Sequence, residues 1–170
     1  MFAIDDGIGS NLYQVALAVH ILLSIGGFGT VLLNGVYAAH SQKRPGPEGR
    51  AISEANYAVS NIAEVLILAV PVSGLALVWA SDGSWSFSDL WVWLSLVLFG
   101  VALAISRAVL MPGHRRINAL LLAMEQQPSA DPAPQLAEIG RIGKASAASG
   151  MALHLLLVAA IVLMVWKPTG

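Results

Sequence analysis

Residues 12–39 read LYQVALAVHILLSIGGFGTVLLNGVYAA, with no Lys, Arg, Asp or Glu anywhere in the run. A helix needs ~20 apolar residues, each rising ~1.5 Å, to cross a bilayer, so this stretch is long enough to span lipid. Three more stretches of that kind follow, at 57–80, 90–111 and 145–166, joined by short polar links. A soluble domain has no reason to repeat this length four times. The expectation is all-α: an integral membrane antiparallel four-helix bundle forming a single membrane domain over 1–170.

Composition agrees. Hydrophobic residues make up 56% of the chain and mean hydropathy is +0.71, while charged residues, at 11%, are too few to cover an ordinary water-facing surface. A net charge of −1 gives no basis for a nucleic-acid partner. The absence of cysteine excludes disulfides, thiolate metal sites and a catalytic thiol. The leading residues 1–11 carry Asp5 and Asp6 without Lys or Arg, and the run behind them is too long for a signal-peptide core. The first stretch is therefore expected to remain as a membrane helix.

The bases set the expected orientation. Lys43, Arg44 and Arg50 lie between spans 1 and 2, and Arg115, Arg116, Arg141 and Lys144 between spans 3 and 4. Asp5, Asp6, Asp82 and Asp89 fall on the other side, balanced only by Lys167. The positive-inside rule then puts both basic links in the cytoplasm and both termini outside, in a bacterial cytoplasmic (inner) membrane. Trp79, Trp85, Trp91, Trp93 and Trp166, with Tyr13, fall at outer helix ends, where amphipathic rings favour the headgroup layer.

Proline and glycine punctuate the chain. The segment 43–47, KRPGP, stops the first helix, and the second is expected to begin near Ser53 with Glu54 in its first turn. Pro71 predicts a kink in mid-membrane, and Pro112-Gly113 marks an end or a bend of the third helix. Beyond it, Ile117, Leu120, Leu121 and Met124 recur at helical spacing among polar residues. With a linker at 127–134 and a polar helix from about Gln135, this predicts a cytoplasmic helical hairpin over about 113–144, formed by extensions of helices 3 and 4. No repeat relates the two helix pairs, so the inverted-repeat pattern of transporters is missing.

Function is sought at ionisable groups inside lipid, because each is costly unless paired or lining a polar cavity. Counting from the cytoplasmic helix ends places Arg107 ~6 Å, Glu64 ~10 Å and His154 ~13 Å deep. Asn34 lies at a similar depth, so Asn34, Glu64, Arg107 and Ser149 form a candidate intramembrane polar cluster. The small residues at 145–150, ASAASG, permit close helix approach beside it. His20 lies further out and shares a face with Ser24, Gly27, Val31 and Asn34. It reads either as an imidazole satisfied by a neighbouring helix or as an axial haem ligand, with His154 as the candidate second ligand. The two lie offset by ~10 Å along the bundle axis. His40 and His114 fall at the cytoplasmic boundary and are expected to be solvated. No phosphate-cradling loop, zinc motif or nucleophile elbow occurs, so nothing in the chain points to catalysis.

Helix 1, with Tyr13, Val19-His20 and Gly26-Gly27-Phe28-Gly29, and helix 3, with 90–94 LWVWL leading to Arg107, Pro112 and Arg115-Arg116, resemble a family of bacterial predicted integral membrane proteins known only as domain of unknown function 2269. The early helix 1 histidine is more remotely similar to the four-helix protoporphyrinogen oxidase of the haem pathway and to the membrane domain of copper-resistance D proteins. The oxidase likeness implies haem b beside His20. That family also carries an intramembrane lysine, where this chain offers only Arg107, whose guanidinium cannot ligate iron. Three readings follow from the sequence: a membrane accessory or scaffold subunit contacting lipid, other membrane subunits or itself; a b-type haem protein; and a proton or small-solute carrier using Glu64, Arg107 and His154.

Overall fold

The computed structural model describes residues 7–44, 46–127 and 131–168. Asp5, Asp6, Pro45 and part of the 127–134 linker lie outside the described residues. The chain forms α1 (Asn11–Gln42), α2 (Pro47–Trp79) and α3 (Leu90–Ile105), which passes through a π-turn (Ser106–Leu110) into α4 (Met111–Gln126), and then α5 (Ala133–Trp166). With α3 and α4 counted as one rod, the four rods hold 32, 33, 37 and 34 residues. Each is about 50 Å long, well beyond the ~30 Å hydrocarbon core, so helix ends project from the membrane. The result is an antiparallel four-helix bundle. Its outer faces carry exposed Leu22, Ile62, Val72, Met151, Leu155 and Val165, a coat that only lipid can solvate.

Two local expectations change. The second helix begins at Pro47, six residues before Ser53, with Glu48 in its first turn. Proline fits the first helical position, where its missing N–H would be unpaired in any case, and Gly46 supplies the positive φ (+76°) of the preceding turn. The third helix neither ends nor breaks at Pro112. The Met111 N–H bonds to the Ser106 carbonyl, and this widened turn shifts the hydrogen-bond register just before the proline.

The α1–α2 pair is built on sevens. Tyr13, His20 and Gly27 are the buried residues of α1, and Gly49, Asn56, Ala63 and Val70 recur at the same interval on α2. The register is antiparallel: Asn34 meets Ser60, Gly27 meets Ile67, and His20 meets Ser73. A seven-residue repeat keeps one seam facing its partner, as in coiled coils. Gly27 lets the helices touch, since a Cβ there would lie 2.7 Å from Ile67 Cγ1.

On the other side α5 runs against both α3 and α4. A Cβ on Gly113 would lie 3.1 Å from Ile142, and Arg116 grips Glu138 through two hydrogen bonds of 2.9 and 3.0 Å. At the opposite end of the bundle Val78, Trp91 and Val92 pack together with Leu75, Trp85 and Leu96. The fully buried Ser81 ties the α2–α3 link there, donating to the Val78 carbonyl and accepting from the Trp85 N–H. Trp79, Trp93 and Trp166 face outward as expected of interfacial rings. Trp85 and Trp91 turn inward instead, because the Val78 cluster draws them under the link.

Candidate functional site

A ladder of polar contacts joins α2 to the α3–α4 rod, climbing from the basic end into the apolar interior. Arg50 pairs with Glu125, the Ser53 hydroxyl donates to Asn118 Oδ1, and Arg115 Nε donates to the Tyr57 hydroxyl at 2.9 Å. The innermost rung is Glu64, whose Oε1 lies in ion-pair contact with Arg107 Nε without the alignment of a hydrogen bond. The Glu64 side chain is 18% exposed and that of Arg107 59%, so the acid faces inward and the base outward. Arg107 belongs to the π-turn, a helix irregularity that often marks functional positions.

Alongside this rung, from the level of His114 inward, the helix pairs enclose a cavity of about 440 Å³, lined by residues of α1, α2, the α3–α4 rod and α5. Most of its wall is apolar, including Phe28, Ile67, Phe99 and Leu157. Its polar lining includes Asn34, Glu64, His114 and His154. Ser60 donates to the Asn56 carbonyl at 2.7 Å, and its hydroxyl oxygen lies 3.3 Å from Asn34 Oδ1. Ile25, Leu32 and Ile161 line the cavity yet remain 66%, 52% and 52% exposed, which opens it between α1 and α5 on the lipid side.

The structure thus brings Asn34, Glu64 and His154 to one cavity and sets Arg107 against Glu64 from outside. Ser149 is half-buried and lies off the cavity wall. His114 is a correction: it lines the cavity with a buried, unpartnered Nδ1 and is not a solvated boundary residue. Treating Pro112-Gly113 as a boundary hid it. The available signal was its spacing, four residues beyond Leu110 and eight beyond Ser106, on a helix that continues.

His20 and His154 do not face a common space. His20 lines a second cavity, of about 170 Å³, at the tryptophan-bearing end, whereas His154 lines the larger one. Val70, Ser95, Phe99 and Met164 form the wall shared by the two. His20 Nδ1 lies 2.8 Å from Ser73 Oγ. A haem iron held between these two imidazoles therefore does not fit the residues present. Among the described residues no group of three or more His, Asp or Glu converges as a metal site.

A family described as "Predicted integral membrane protein (DUF2269)" matches this chain over residues 14–168. No match was found among curated proteins or among solved structures.

Proposed function

The chain belongs to the DUF2269 family of predicted integral membrane proteins, and on that premise we propose that it is an intramembrane binding protein for a lipid-soluble small molecule. The ligand's apolar body would rest between α1–α2 and α3–α5, with its polar head toward Glu64, His114 and His154. The observation that carries this reading is the cavity of about 440 Å³, whose size lies within the ~300–1,000 Å³ of small-molecule sites and whose few polar groups are placed among apolar walls. Its opening between α1 and α5 gives a path from the bilayer that avoids water. In the same reading the basic end faces the cytoplasm of a bacterial cell, with both termini outside.

The accessory-subunit reading drew on glycine and small-residue faces. Gly27 is filled by Ile67 of the same chain, whereas Gly29 and Gly150 have nothing within 4 Å, so glycine packing does not separate the two readings and the cavity carries the choice. The test is native mass spectrometry of protein purified from membranes in mild detergent, compared with Ala160→Trp, which places an indole in the cavity wall. Wild-type protein should carry a small-molecule adduct that the variant lacks. Identical spectra for the two folded proteins would sink the reading.

A further inference from the structure

The smaller cavity has a chemistry of its own. Trp85 and Trp91 line it as an edge-to-face pair with centroids 5.8 Å apart. Both indole N–H groups are buried without a hydrogen-bond partner, and Trp91 is only 9% exposed. Ser95, in the same wall, has an equally unpartnered hydroxyl. Lys167 ends α5 in the left-handed region (φ +42°), and its ammonium lies 3.8 Å above the Trp85 ring and 5.6 Å from the centre of Trp91. No carboxylate lines this cavity among the described residues. His20 lies in the same wall, its Nδ1 2.8 Å from Ser73 Oγ.

Buried donors without partners are costly, and three of them, packed just beneath the wall of this cavity, lie beside one cation. The complement is an acceptor-rich, negatively charged head. The rest of the wall, including Leu17, Leu75, Val92 and Leu96, suits a short apolar stem. The volume of about 170 Å³ has room for a compact head and the first carbons of a chain.

We propose that this cavity is a second site, separate from the larger one, that receives the carboxylate of a single-chain amphiphile on the Lys167 ammonium, the Trp85 and Trp91 indole N–H groups and the Ser95 hydroxyl. A membrane fatty acid and a free short-chain carboxylate present the same head, and the length of the chain separates them.

The experiment titrates the full-length protein, in mild non-ionic detergent, with decanoate, decanol, decyltrimethylammonium and acetate, following tryptophan emission. Decanoate should saturate the signal about tenfold more tightly than decanol or the cation, as a charge-assisted head contact requires, and acetate should bind far more weakly. Lys167→Gln should weaken decanoate about tenfold and leave decanol unchanged, while Lys167→Arg keeps most of the affinity. Trp85→Phe, which keeps a ring but removes the donor, should weaken decanoate in a folded protein. Ala160→Trp, in the other cavity, should change nothing, so this site stands or falls apart from the larger one. Equal binding of all three decyl compounds, tighter binding of the cation, or decanoate affinity untouched by Lys167→Gln would each overturn the proposal. Acetate as tight as decanoate would overturn its amphiphile part.

Discussion

Gly27 shows how much one missing methyl decides. A Cβ there would lie 2.7 Å from Ile67 Cγ1 and 3.2 Å from the Ile67 backbone nitrogen, and the backbone cannot rotate away as a side chain can. Gly29, two residues on, has nothing within 4 Å of its Cβ position. Gly27→Ala should therefore destabilise the α1–α2 pair by about 1–3 kcal/mol, the usual range for overpacking. Gly29→Ala should be neutral or slightly stabilising, since alanine suits a helix better. Thermal unfolding in detergent, read by circular dichroism, checks the pair. Equal midpoints for the two variants would show that the glycine contact does not set the seam.

Among the elements, α4 from Arg115 onward and the start of α5 lie beyond the apolar spans and answer to ordinary aqueous electrostatics. The Arg116 guanidinium, hydrogen-bonded to Glu138, holds that carboxyl below its ordinary value of 4.5. A group whose folded pKa is depressed contributes its stability above the unfolded value and loses it as pH falls through the folded one. The contribution of this pair to the docking of α4 on α5 should thus be flat from neutrality down to about pH 5 and weaken only in stronger acid. Both partners touch water, so salt should weaken the pair as well. Hydrogen exchange across residues 113–142 at pH 7 and pH 3 reads this directly. Glu138→Gln should remove the difference, and a rise in protection on acidification would contradict the pairing.

For the whole molecule, the distribution of charge fixes the expected orientation. The basic links and the polar ladder occupy one end of the bundle, and the tryptophan-bearing end carries Asp82 and Asp89. The chain has no cysteine, so single cysteines introduced at positions 50, 116 and 84 report their side without background. Arg50→Cys and Arg116→Cys should be protected from an impermeant thiol reagent added to intact cells, while Ser84→Cys reacts. Labelling of Arg50→Cys and Arg116→Cys from opposite faces would break the bundle into a different topology.

The number of spans, their antiparallel order and the depth shared by Glu64 and Arg107 were all legible in the sequence, because hydropathy and residue rise are local quantities that add along a helix. The sevens on α1 could be read too, since His20, Gly27 and Asn34 share a face, but the matching sevens on α2 came only from its packing. The rotation of each helix about its own axis could not be read. These spans are apolar nearly all round, so sequence periodicity gives no amphipathic signal for which face turns inward. Packing of Gly27 on Ile67 and of Gly113 on Ile142 settled that rotation. It sent His114 into the larger cavity and Trp91 away from the lipid, whereas the separation of His20 from His154 is the axial offset already counted along the sequence.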